Sequence, residues 1–286
     1  MKVVYIGISI ILMMSHVSAE MEEHHDHVGF TKIELNYENL NFKNSKKKYD
    51  AKRHGVKLDF QNDKQHMQVY VEHTDTNTKP IVPKDLLVNK YSFKYEYVLD
   101  KKNIFMLSYI RISDNIMDEV NDGDIYGFGY KYKVLDLKQY ISNYNHFKVY
   151  QSDIKLGMKK RFYDFNMMGA VVGKYIHLHH KNSNPFSRKA KSDYFTLGLK
   201  SHIDYGKWHL SMGTYIGERA FSVMNQGMKV QHHAMEFDKS MMFGISRDFD
   251  KFLLQARYVK HYAIEIPLEN KNVELDVFSI LLHYTF

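Results

Sequence analysis

VFSILLHYTF, residues 277–286, is the stretch on which the reading of this chain turns. Taken at every second position, Phe278, Ile280, Leu282, Tyr284 and Phe286 form one set, all of them large and apolar. The set between them, Val277, Ser279, Leu281, His283 and Thr285, is smaller and mixed. Side chains alternate between the two faces of a strand, so the pattern predicts a strand with one greasy face and one more polar face. A single strand of this kind also suits a soluble sheet. The decision needs the rest of the chain.

The alternation recurs. In NKYSFKYEYVL, Tyr91, Phe93, Tyr95, Tyr97 and Leu99 oppose Lys90, Ser92, Lys94 and Glu96. In DIYGFGYKYKV, Tyr126, Phe128, Tyr130, Tyr132 and Val134 oppose Gly127, Gly129, Lys131 and Lys133. In AMEFDKSMMFGIS, Met235, Phe237, Met241, Phe243 and Ile245 oppose Glu236, Asp238, Ser240 and Ser246. In KFLLQARYVKHYAIEI, the set from Phe252 to Ile266 opposes Gln255, Arg257, His261 and Glu265. These segments run for about ten to fifteen residues, roughly twice the usual soluble strand. Length near ten, alternation and flanking aromatics mark strands that cross an outer membrane. A soluble sandwich would carry an aliphatic face, whereas this one is rich in Tyr, which suits the bilayer interface.

Composition agrees. The 286 residues are 44% hydrophobic and 26% charged, with a mean hydropathy of −0.47, which excludes a bundle of membrane helices. A barrel remains allowed because its strands are only half apolar. Cysteine is absent, so neither disulfides nor thiolate metal sites are available. At the start, Lys2 precedes an apolar run from Val3 to Met14, and Val17 and Ala19 place small residues before Glu20. This predicts a signal peptide over 1–19, cleaved after Ala19, because the run is too short to span a bilayer. Residues 20–28 read as a His-rich acidic leader and 29–286 as the barrel domain. With no later segment that approaches a transmembrane helix, a membrane form has to be a closed sheet.

A chain that ends on Phe after alternating hydrophobics resembles the C-terminal assembly signal of Gram-negative outer-membrane β-barrels. Here Phe278, Ile280, Leu282, Tyr284 and Phe286 carry the resemblance. It implies recognition by the barrel-assembly machinery, residence in outer-membrane lipid and a last strand that ends at the periplasm. The expected fold is therefore all-β, a transmembrane antiparallel up-and-down barrel. Short polar turns are expected at Asp63-Lys64, Asp100 to Lys102, Arg161 to Asp164, Asp204 to Gly206 and Asp248 to Asp250. Longer connections fall at 43–51, 75–88, 113–123, 181–191, 218–231 and 267–272. Thirteen strands are plain, and LKQYISNYNHFKVYQSDIKLGMKK between Leu137 and Lys160 hides one more, because its apolar phase shifts. Fourteen strands is the reading, with twelve as the alternative.

If the apolar set faces lipid, the other set lines a lumen. Lys90, Lys94, Lys131, Lys133, Lys155, Lys159 and Lys200 give it a basic wall. Glu34, Glu38, Glu236, Asp238 and Glu265, with Arg257 among them, give a mainly acidic one. Such opposed walls create a transverse field that orients polar solutes. Glycines 127, 129, 157, 213, 217 and 244 fall on the same face and would either leave room for water or solute or relieve strain in a tightly curved barrel. The expected function is porin-like: passive diffusion of small polar solutes or ions, mildly favouring anions, with no cofactor and no catalytic residue. Nucleic acid is not an expected partner, because the lysines alternate along strands and form no exposed basic patch.

Two other readings start from histidine. His24, His25 and His27, with neighbouring carboxylates, could hold a divalent metal, although their spacing defines no geometry. HLHH (residues 177–180) and His232-His233 lie near outer connections. An outer-membrane enzyme acting on lipid or lipopolysaccharide would need a hydroxyl, an imidazole and an orienting group, for which Ser183, His180 and Asn184 are the pieces at hand. No local motif supports that reading. A purely structural, closed barrel is the third possibility.

Overall fold

The computed structural model describes residues 29–117, 120–180, 188–232, 235–266 and 268–286. The expected signal peptide and leader, His24, His25 and His27 included, lie outside them, as do Ser183, Asn184 and His233. Fourteen antiparallel strands close into one barrel. In chain order they are β1 (Gly29–Lys43), β2 (Lys48–Gln61), β3 (Gln65–Thr78), β4 (Leu86–Val98), β5 (Asn103–Asp114), β6 (Asp124–Tyr132) and β7 (Leu135–Asn143). Then follow β8 (Lys148–Phe162), β9 (Phe165–His179), β10 (Asp193–Tyr205), β11 (Trp208–Arg219), β14 (Met235–Phe249), β15 (Phe252–Glu265) and β16 (Asn270–Thr285). A small hairpin, β12 (Val223–Met224) and β13 (Lys229–Val230), sits within the β11–β14 connection. Each barrel strand pairs with its chain neighbour, and β1 closes on β16 from Lys32↔Thr285 to Lys43↔Glu274. Closure leaves no unpaired edge, which a sheet in lipid requires.

Both ends of the described chain and the turns after β2, β4, β6, β8, β10 and β14 lie at one end of the barrel. The turns are made locally. Asn62 Oδ1 accepts from the backbone N–H of Lys64 and Gln65, and Asp100 does the same for Lys102 and Asn103. The Asn103 side-chain amide, together with those backbone donors, holds the Asp100 carboxyl below the usual carboxylate range. At the two-residue turns a left-handed residue reverses the chain: Lys133, Tyr163, Gly206 and Asp250 all have positive φ.

The hidden strand is β7, between a turn at 133–134 and another at 144–147. Its phase shift has a physical cause. Val149, near the start of β8, points inward and is buried, while Ile154 and Leu156 point outward and are exposed. The inward face of the barrel is itself apolar at the long-connection end. Leu86, Val88, Ile110, Ile112, Phe147, Val149 and Ile176 are buried there around Phe221 of the β11–β14 connection. A second internal cluster joins Leu40, Phe42, Met235, Phe237, Val273 and Leu275. This corrects the expectation that Met235 and Phe237 face lipid. A bulge between Phe237 and Lys239 shifts the phase of β14 and turns Phe237 inward.

Outside, the belt is greasy. Phe195 is 66% exposed and Ile216 62%, and Leu107, Phe128, Leu199, Met241 and Phe243 are also exposed. An apolar surface of this extent is stable only against lipid. Rings gather at the short-turn end. Phe286 packs on Phe30 and Tyr284, both with centroids at 4.7 Å, and Phe252 packs on Tyr284 at 4.8 Å. Phe165 stacks on Tyr205 at 4.7 Å. Such a ring of aromatics belongs at a membrane–water interface.

Candidate functional site

The site is the lumen and the hairpin that crosses it. The connection after β11 folds inward because β11 bends at Gly217, whose φ of +95° is reserved for glycine and where a Cβ would lie 2.4 Å from the Phe195 carbonyl. Arg219, fully buried, anchors the bend. Its guanidinium lies over the Tyr215 and Phe237 rings, donates from Nε to Gln231 Oε1 at 3.1 Å, and donates from Nη2 to Ser240 Oγ. The hairpin then reaches the opposite wall. Val223 exchanges two hydrogen bonds with the Gln151 side chain on β8, at 2.8 and 2.9 Å. Its carbonyl also accepts from Lys174 Nζ on β9 at 3.0 Å. Ser92 Oγ on β4 donates to the Met228 carbonyl at 2.9 Å. At Gly227, with φ +88°, a Cβ would sit 2.3 Å from Ser108 Oγ on β5.

Beneath the hairpin, β1 to β4 and β15 carry a charged cluster. Glu38 accepts from Arg53 at 2.7 Å, Lys229 at 3.0 Å and Arg257 at 3.1 Å. Glu72 meets Lys90 at 2.8 Å, Arg53 at 3.3 Å and Lys229 at 3.6 Å. Tyr70 donates its hydroxyl to Glu72 at 2.9 Å, and Asn36 donates to Glu38 and to the Tyr70 oxygen. Four cations share two carboxylates, so the cluster keeps an excess of positive charge. A cavity of about 180 Å³ opens on it, bordered by Glu38, Arg53, Glu72, Lys90, Arg257 and the hairpin's Lys229.

The remaining lysines fall into separate places. Lys94 is buried against Glu96 at 3.2 Å. Lys131, Lys155, Lys159 and Lys200 border a second cavity, of about 440 Å³, toward the short-turn end. Lys133 also borders that cavity but stands in the 133–134 turn, past the end of β6, so it is a rim residue and not a wall residue.

The expected acids divide likewise. Glu34 pairs with Lys57 at 2.7 Å on the inner face. Glu236 is buried between Tyr194 and the Lys191 backbone N–H, bridging β14 to β10 where β11 has ended, and Asp238 sits at the β14 bulge. Glu265 is buried against the β1–β2 connection, accepting from Ser45 Oγ at 2.5 Å and Lys46 N at 2.9 Å. Glu236 and Glu265 thus tie strands and connections together at the long-connection end.

The inward glycines 127 and 198 make room for rings rather than water. The Tyr140 ring lies across Gly127 and the Tyr215 ring across Gly198, each within 3 Å of where a Cβ would be. Sequence reasoning missed Arg53, Glu72 and Lys229. The signal for the first two was available, since both occupy inward positions of alternating strands. Lys229 lies in a connection without periodicity and could not be placed.

The closed strand order, the apolar belt and the aromatic ring decide the type. This is an outer-membrane-type β-barrel of fourteen strands. No protein-family model matches the chain, and no curated protein matches it. Among solved structures, the Acinetobacter baumannii outer membrane protein Omp33 is similar over 91% of this chain and 100% of its own, at 8% identity and a TM-score of 0.49. Acinetobacter baumannii OccAB1 is similar over 93% and 99%, at 8% identity and a TM-score of 0.43. Pseudomonas aeruginosa OpdK, solved with vanillate, is similar over 90% and 98%, at 8% identity and a TM-score of 0.41. The barrel's type rests on its own strand order and surfaces.

Proposed function

We propose that this barrel is a porin-like channel of a bacterial outer membrane, passing small polar solutes or ions and mildly favouring anions. The observation that carries the reading is the charged cluster under the hairpin. Arg53, Lys90, Lys229 and Arg257 outnumber Glu38 and Glu72 beside the 180 Å³ cavity, and the hairpin narrows the lumen at that level. Lys131, Lys155 and Lys200 continue the basic surface toward the short-turn end. In a narrow, low-dielectric passage, an excess of fixed cations raises the local concentration of anions. No covalent step and no cofactor is needed for diffusion. Outer-membrane lipid and the barrel-assembly machinery are the partners this reading requires.

The test is single-channel current of the refolded protein in a planar bilayer under a salt gradient. Steady steps with a reversal potential of anion-selective sign are expected, and Lys131→Gln, Lys155→Gln and Lys200→Gln together should move that potential toward zero. A cation-selective sign from protein shown to be folded would sink the anion preference. Silence would sink the channel reading.

A further inference from the structure

The short-turn mouth of the lumen holds a set of side chains that the charged cluster does not use. His202 and Asp204 stand two residues apart on β10, so both point inward, and His209 is the direct cross-strand partner of Asp204 on β11. His202 Nε2 lies 2.6 Å from Asp204 Oδ1, and His209 Nδ1 lies 2.7 Å from the same oxygen. The two imidazole planes are nearly parallel, 16° apart. Behind His209, its Nε2 is 2.8 Å from Asp248 Oδ2 on β14.

We propose that His202, Asp204 and His209 bind one divalent transition-metal ion at this mouth, with Asp248 orienting His209 from behind. The ligand atoms of the three residues lie within 4.8 Å of one another. Tetrahedral ligands about 2.0–2.1 Å from zinc stand about 3.3 Å apart, so sub-ångström to about one-ångström side-chain movements admit the ion. Two imidazoles and one carboxylate suit the zinc, cobalt, nickel and copper class rather than calcium or magnesium, which take all-oxygen shells. Three protein ligands leave a fourth position for water or solute. The His209–Asp248 contact has the form found behind metal-bound histidines, where a carboxylate on the far ring nitrogen fixes the tautomer and raises basicity. The ligands sit on paired strands, which hold them in register. The site is reachable, because His202 borders the 440 Å³ cavity and all four side chains are partly exposed. Lys200, one inward position along β10, adds a positive charge that the two carboxylates offset. The inference does not depend on whether the barrel conducts.

The full chain is refolded with His24, His25 and His27 changed to Asn, so that the leader's imidazoles do not compete. Zn²⁺ is titrated by calorimetry, and Co²⁺ by its visible absorption. One ion per barrel is expected. His202→Asn with His209→Asn should weaken binding at least about 100-fold, and Asp248→Asn about 10- to 100-fold at unchanged stoichiometry. A second readout needs no variant at these positions to fold. Zn²⁺ should protect His202 and His209 from diethylpyrocarbonate, read by mass spectrometry, while His177 at the far end reacts as before. The proposal is overturned by the lack of saturable binding, by equal affinity in the folded double variant, or by modification of His202 and His209 that Zn²⁺ does not slow.

Discussion

Glu72 is the residue on which the lumen's charge depends. Its carboxylate is 1% exposed and receives Lys90, Arg53, Lys229 and the Tyr70 hydroxyl. Removing one member of a buried ion pair leaves the others desolvated and uncompensated, at about 3–5 kcal/mol. Glu72→Gln is therefore expected to lower the unfolding free energy by about that amount. Lys90→Met should cost less, since Glu72 keeps Arg53. Because the two share one network, the double variant should lose less than the sum of the singles. Urea titrations of the three variants in detergent decide it, and additive losses would mean that the pair is not coupled.

At the scale of elements, the inward hairpin is the part with a consequence for function. It is held at both feet: by Gly217 and Arg219 where it leaves the wall, and by Gln151, Lys174 and Ser92 where it meets the far side. Phe221, Val223 and Val230 fill the apolar interior above. A segment so tied is a fixed part of the barrel interior rather than a floating loop. Replacing residues 221–231 with a Gly-Ser segment of equal length should raise single-channel conductance several-fold while the barrel remains folded. An unchanged conductance would show that the narrow point lies elsewhere. If the intact protein is silent and only the replaced form conducts, the hairpin is a plug, and the structural-barrel reading takes over.

For the whole molecule, Phe286 lies at the seam where the barrel closes. Phe286 N donates to the Thr31 carbonyl at 3.1 Å, and its ring packs on Phe30 and Tyr284 at the seam between β16 and β1. The ring is 57% exposed, so its loss should cost the finished barrel only about 1 kcal/mol. Deleting Phe286 is expected to leave refolding in detergent nearly intact, yet to lower the amount of barrel reaching the outer membrane of cells several-fold. If both fall together, the ring acts through stability alone and is not read during assembly.

The amino-acid pattern alone determined the class of fold, because a period of two over ten or more residues with an aromatic-rich face admits few structures besides a membrane barrel. It also placed the lipid-facing rows, Phe278 to Phe286 among them, since lipid contact requires every second side chain to be apolar. It could not determine what fills the inside. Phe237 reads as lipid-facing until the β14 bulge shifts its phase, and Val149 reads as out of register until Phe221 arrives to cover it from within. Glu236 and Glu265 alternate like wall residues but are held by β10 and by the β1–β2 connection, partners distant in the chain. Lys229 belongs to a connection, and its meeting with Glu38 and Glu72 spans more than 150 residues of chain. Alternation is a local rule set by the pleat, whereas the charges that share a lumen are chosen by which distant strands and which inward loop the closed barrel brings together.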